Sequence, residues 1–371
     1  MGTVGEADCK AGQGQGQGLV SFDYGELGAR DLSADIARAF GPDGLGVCAV
    51  RGVPGFNEAR RALLPLARKL GKLPSELLSS YERPEAHYCV GWSRGQEHFK
   101  GKPDISKGSF YANPIFDDPA EGDKAVQAKF PYTLSCSWPS EVPELEAAFK
   151  TMSRIIYETA KPILAQCDAI VKAKYPAHDR ALFEKTFPRS RLVVGRLLHY
   201  YAGVEDSWCG WHNDSSVITG LVPAMWLDDM TGDELQSLDT TAGLYVQGRG
   251  GAIERVSVPK DVLLFQIGEA AQILSGGVLQ ATPHSVRGHI SDPGALQVSR
   301  ESFALFMEPQ WDMAIGPPEG ASYEDVLRGE EGDLIPPLSK RLNPDPQTGT
   351  VEFGKLLGDS FAEYYKHNNK T

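Results

Sequence analysis

The chain has no uninterrupted apolar run of the ~18 or more residues that a membrane-spanning helix requires, so no transmembrane segment and no membrane partner are expected. Positive charge is in deficit: 37 Lys and Arg against 49 Asp and Glu give 37 − 49 = −12. A protein that grips nucleic acid over a broad basic face neutralises phosphates with Lys and Arg, and this balance argues against that class of partner. Cysteine is sparse. Its six positions, Cys9, Cys48, Cys89, Cys136, Cys167 and Cys209, form no CxxC pair, which speaks against a disulfide scaffold or a structural zinc site. The cysteines read as reduced thiols. Gly2 is present, but Glu6 stands where a myristoylation signal has Ser or Thr. The opening residues also lack the Arg-rich, acid-poor character of a transit peptide. A cytoplasmic location is the expectation.

What the chain does have is an ordinary globular composition, 41% hydrophobic and 23% charged, unevenly textured. Residues 1–18 hold Gly-Gln repeats with nothing to bury and are expected to be a disordered tail. Residues 19–142 read as an N-terminal α/β segment followed by loops. A helix is predicted over Asp31–Phe40 and a strand over Gly44–Val50, and a second helix, capped by Asn57, ends at Gly71. In 143–190, Leu145, Phe149, Met152, Ile156, Ile163 and Cys167 recur at helical spacing, as a long core-facing helix backing a sheet requires, with Pro162 a predicted kink. From 191 to 310 short β-rich runs alternate with Gly, Pro and Asp, the pattern of a sandwich or jelly roll. Val222–Leu238 reads as an insertion within it. Residues 311–371 read as a Pro-rich loop and a last helix.

Three features in the β-rich part carry chemistry. His212 and Asp214 stand two apart, so on extended backbone their side chains point to one side. His284 follows 284 − 214 = 70 residues later. Two imidazoles and a carboxylate on one face of an octahedron leave three positions open, an arrangement suited to non-haem Fe(II). A His-x-Asp alone also fits a surface strand or a simple His–Asp hydrogen bond. Arg300 and Ser302 are again two apart on a predicted strand. A guanidinium and a hydroxyl on one strand face can hold a carboxylate, though an inward Arg paired with an internal acid gives the same pattern.

In this order, His212-x-Asp214, His284 and Arg300-x-Ser302 resemble the Fe(II)/2-oxoglutarate-dependent oxygenases of the isopenicillin-N-synthase-like group. Gly46–Val50 with the Gly52-Val53-Pro54 turn is similar to that group's N-terminal part. Leu197–Tyr201 resembles its Asn-x-Tyr strand, with Tyr201 at the tyrosine, and Gly268–Gln272 its Gly-Asp-x-x-Gln strand end. The resemblance spans roughly residues 19–310. It implies a mainly β fold with flanking helices (α+β), built on a double-stranded β-helix (jelly-roll, cupin-like) core. It implies Fe(II) on His212, Asp214 and His284, and 2-oxoglutarate bound with Arg300, Ser302 and Tyr201. O2 would be the further co-substrate, succinate and CO2 products, and hydroxylation of a small molecule's C–H bond the outcome. The chain departs from the group at His199, which replaces the usual Asn, and in the long interval from His284 to Arg300, which contains His289. The segment covering the barrel mouth would supply Tyr88, Trp92, Arg94, Phe110, Tyr111 and Asn113, a set suited to an apolar or aromatic small molecule or serving only to anchor a long loop. An iron oxidase that does not use 2-oxoglutarate fits the same residues, as does a non-catalytic metal-binding jelly roll.

Overall fold

The computed structural model describes residues 18–99, 102–203, 207–236, 241–248, 251–288, 296–329 and 334–368. Of the expected tail, residues 1–17 lie outside them, as do His289 and residues 237–238 of the segment read as an insertion.

Every residue of the strand Val262–Ile267 is buried, because it lies between two apolar layers rather than over water. Leu263, Phe265 and Ile267 enter the main core, and Val262 and Leu264 pack in a second cluster with Val47 and Ala49. The same two-faced burial holds along most of the larger sheet. Its strands are β1 (Val20–Asp23), β2 (Val47–Arg51), β3 (Gly91–Arg94), β6 (Lys107–Ala112), β7 (Val193–Tyr200), β9 (Ile218–Asp228), β12 (Val262–Ile267) and β14 (Val298–Met307). The short hairpin pieces β4 (His98–Phe99) and β5 (Lys102–Pro103) lie between β3 and β6. The spatial order is β1-β2-β12-β9-β14-β7-β6-β3, antiparallel except for the parallel β1–β2 pair. The smaller sheet runs β11 (Ile253–Val256), β10 (Gly243–Gln247), β13 (His284–Arg287) and β8 (Ser207–His212). A last pair joins β15 (Ala314–Ile315) to β16 (Val351–Glu352). Two sheets facing each other make the expected jelly roll.

The outer face of the larger sheet is covered by α5 (Leu145–Lys174), with α1 (Ser33–Phe40) and α2 (Phe56–Gly71) beside it; α3 (Ser75–Ser80), α4 (Lys124–Lys129), α6 (Ala181–Thr186), α7 (Glu269–Leu274), α8 (Tyr323–Val326) and α9 (Phe353–Asn368) complete the helices of the described residues. The α5 helix sits so close to the sheet that a Cβ on Gly195 would overlap Phe149 and one on Gly220 would overlap Ile156. It runs unbroken through Pro162.

Three expectations are corrected. Asn57 does not cap α2: the cap is Gly55, whose φ of 72° suits a residue without Cβ. Val222–Asp228 is not an insertion but the second half of β9, held in register against Val298–Phe303 of β14. The stretch read as loops supplies β3 and β6, which extend the larger sheet beside β7.

Candidate metal and carboxylate site

Between the sheets lies a cavity of about 850 Å³, lined from one side by Arg196, Tyr200, Arg300 and Ser302 and from the other by His212 and His284. Strand alternation decides which side chains reach it. On β14 and β7 the residues Arg300↔Tyr200, Ser302↔Leu198 and Ala304↔Arg196 are cross-strand partners, so all six share the inner face. Phe303 and Leu197, one position along, belong to the core beneath the helices.

His212 ends β8 and His284 begins β13, and the two are register partners. Their ring centroids are 4.2 Å apart. Asp214 follows in the turn, with Oδ1 3.9 Å from His212 Nε2 and 3.6 Å from His284 Nε2. One donor atom from each of the three lies within 4.8 Å of the others. Asp214 Oδ2 is buried without a hydrogen-bond partner, a costly state for a carboxylate oxygen unless a cation or a donor satisfies it. His212 Nδ1 lies 2.9 Å from the Gly210 carbonyl. Donating that proton leaves Nε2 as the free lone pair toward the centre. Burial and the neighbouring His212 push His284 down to about 4, so it stands neutral, the form that ligates. At His212 burial opposes charge, but Cys209 and Asp214 hold it up at about 9. A divalent cation would take over the role of that proton in balancing Asp214. The donor set therefore fits Fe(II).

Arg300 is 7% exposed. Its Nη1 donates to Ser302 Oγ at 3.3 Å, and its Nε is buried without an acceptor. Its guanidinium lies 4.9 Å from the Tyr200 ring centroid and 6.0 Å from that of Trp226. Among the described residues no carboxylate forms an ion pair with it. A guanidinium in that condition can take an anion from the cavity.

The metal loop is braced from behind. Asn213 donates from its backbone N–H to Tyr364 Oη at 2.9 Å and from Nδ2 to Glu269 Oε1 at 3.1 Å. Glu269 N–H donates to the Asp214 carbonyl at 2.8 Å. Arg341, fully buried, holds Glu269 through Nη1 at 2.5 Å and Nη2 at 2.7 Å. These residues escaped the sequence reading because the loop and its partners are far apart in the chain.

Tyr201 is not at the cavity. Its hydroxyl donates to the Gly71 carbonyl at 2.9 Å, and its ring packs against Arg94 and His199. Tyr200 takes the inward place, as the register partner of Arg300. His199, the departure from Asn, also faces away, with Nδ1 2.9 Å from Glu301. None of the six mouth residues lines the cavity. Trp92 and Phe110 enter the core beneath the helices, because inward and outward positions alternate along β3 and β6. Arg94 donates to the Ile105 carbonyl, Asn113 caps a turn by accepting from Ile115 and Phe116, and Tyr88 sits in a left-handed turn with φ 58°. Tyr111 alone comes near it, stacked behind the cavity-lining Arg196.

No family model matches the chain, and no curated protein matches it in sequence. Solved structures do share the fold. A putative 2OG-Fe(II) oxygenase family protein from Caulobacter crescentus aligns over 93% of this chain and 99% of its own, with a TM-score of 0.66 and 20% identity. A full-length Neurospora crassa protein, solved in complex with alpha-KG, aligns over 94% and 97%, with 0.64 and 17%. The rice dioxygenase for auxin oxidation aligns over 95% and 99%, with 0.57 and 16%. The chain has the fold of 2-oxoglutarate and iron oxygenases.

Proposed function

We propose that the chain is an Fe(II)- and 2-oxoglutarate-dependent dioxygenase that hydroxylates a C–H bond of a small organic molecule, releasing succinate and CO2. The observation that carries this is the sharing of one cavity by the His212–Asp214–His284 donors and a buried Arg300 that, among the described residues, pairs with no carboxylate. The Neurospora crassa structure bound to alpha-KG, and that of JOX2 bound to 2OG, Fe and JA, support it. Tyr201 is withdrawn from the co-substrate set, and Tyr200 takes its place.

Fe(II), when bound, supplies the oxygen and oxidative decarboxylation chemistry. The chain's own residues do the rest. His212 and His284 present Nε2, with their Nδ1 protons directed at protein acceptors. Asp214 supplies the negative charge and the third ligand. Arg300 and Ser302 hold the far carboxylate of 2-oxoglutarate, and Tyr200 and Trp226 wall its guanidinium partner from water. The two sheets exclude bulk solvent from the reacting centre.

The test is succinate release from 2-oxoglutarate under air. It is expected to require added Fe(II) and to disappear in Asp214→Ala and His284→Ala. Iron binding without succinate release across a broad set of small molecules would favour the 2-oxoglutarate-independent oxidase.

A further inference from the structure

The inner face of the larger sheet carries a second guanidinium. Arg196 lines the same cavity as His212 and Arg300. It is paired across from Ala304, four residues along β14 from Arg300, which is about 13 Å at the ~3.3 Å rise of a strand. Its Nε donates to Ser109 Oγ at 3.1 Å and its Nη2 to Glu97 Oε1 at 2.7 Å. Its Cζ lies 5.0 Å from the centroid of Tyr111. Among the described residues nothing accepts from Nη1.

The acid that balances Arg196 is shared. Glu97 also pairs with Lys107 at 3.0 Å, and Lys107 pairs in turn with Asp104. The Arg196 and Lys107 side chains are 14% and 5% exposed, whereas Glu97, on the turn after β3, is 48% exposed. Arg196 and Lys107, both enclosed, thus share the solvent-reached Glu97, and only Lys107 has a second carboxylate in Asp104. Such a carboxylate is a displaceable counter-ion, and a planar fork with a free edge fits a carboxylate better than any neutral group.

We infer that Arg196, backed by Lys107 and walled by Tyr111, binds a carboxylate of the oxidised substrate. This deepens the oxygenase reading and rests on it. Arg300 takes 2-oxoglutarate at one end of the cavity and Arg196 takes an acidic substrate some four strand positions away, so that the two anions do not compete. The cavity's volume lies at the upper end of the ~300–1,000 Å³ of small-molecule sites and accommodates both. The substrate class is therefore a small carboxylic acid, rather than a neutral aromatic.

The experiment uses the full chain loaded anaerobically with Fe(II) and 2-oxoglutarate. Octanoate, 4-phenylbutyrate and their methyl esters are titrated by calorimetry and by perturbation of the visible spectrum. At least one acid is expected to bind about tenfold or more tighter than its ester. Arg196→Met is expected to erase that preference, with 2-oxoglutarate affinity unchanged. Glu97→Gln, an isosteric change whose folding is checked by its urea unfolding curve, is expected to tighten acid binding several-fold, an effect that a merely structural Arg196 does not produce. Equal binding of acids and esters, no binding of either acid, or a loss of 2-oxoglutarate affinity in Arg196→Met would overturn the assignment. Failure of the wild type to bind 2-oxoglutarate at all would overturn the oxygenase reading beneath it.

Discussion

Gln266 and His284 meet side chain to side chain: the Gln266 amide lies 2.7 Å from His284 Nδ1, deep between the sheets. A metal on Nε2 requires the ring proton on Nδ1, facing this amide and the Thr282 carbonyl at 3.3 Å. Gln266 Oε1 otherwise has no partner. Turning the amide would place that oxygen where it accepts the Nδ1 proton and fixes the tautomer that ligates, in exchange for the bond that Nε2 donates to the Thr282 carbonyl at 3.2 Å.

Gln266→Leu keeps the volume but removes the acceptor. Its affinity for Fe(II) is expected to fall ~10–100-fold, the usual cost of losing a partner behind a metal ligand. Anaerobic metal titration of the variant against wild type measures it; unchanged affinity would show that Thr282 suffices to orient the ring.

The Arg341–Glu269 pair is fully buried and holds Asn213 in place. Breaking it with Arg341→Met leaves a charge without a partner, and a loss of about 3–5 kcal/mol is expected. Urea unfolding reads this directly. The double variant Arg341→Met with Glu269→Met should recover much of the stability but not the position of the metal loop, so its iron affinity stays low.

Glu308, buried, follows directly after the end of β14. Burial, with the charge of Asp214 adding, pushes its carboxyl from an ordinary 4.5 up to about 8. Between those values the native chain keeps a proton that the unfolded chain has released. This group's contribution therefore falls as pH rises from about 4.5 to about 8 and levels off above. Glu308→Gln removes the dependence. The Tm of the variant minus that of wild type is expected to grow across that window and stay constant beyond it; a difference independent of pH would contradict the assignment.

The jelly roll, the long backing helix, the His212, Asp214 and His284 donors and the Arg300–Ser302 pair were all legible in the chain. Local spacing on strands carries them: two residues return to the same face, and His284 opens a strand that pairs with the end of β8. Tyr201 turns away from the cavity by the same rule. A one-residue shift exchanges the two faces of a strand, and it is Tyr200 that stands across from Arg300. Trp92 and Phe110 were misplaced, since aromatic character says nothing of which face a strand turns inward. Arg196 was missed too, since it lies on the face of Tyr200 and not on that of Tyr201. Glu97, Glu269 and Arg341 were not legible, because only the folded chain brings them to their partners.

The central claim is that one cavity holds both an iron and the 2-oxoglutarate beside it. The direct measurement is the anaerobic visible spectrum of metal-free protein on adding Fe(II), then 2-oxoglutarate. A weak charge-transfer band that needs both is expected. In Arg300→Met the 2-oxoglutarate concentration that half-saturates it should rise by about thirtyfold or more, the equivalent of ~2 kcal/mol or more for a carboxylate that loses its buried partner. Iron binding with no such band, or a band whose 2-oxoglutarate requirement is indifferent to Arg300, would contradict the account.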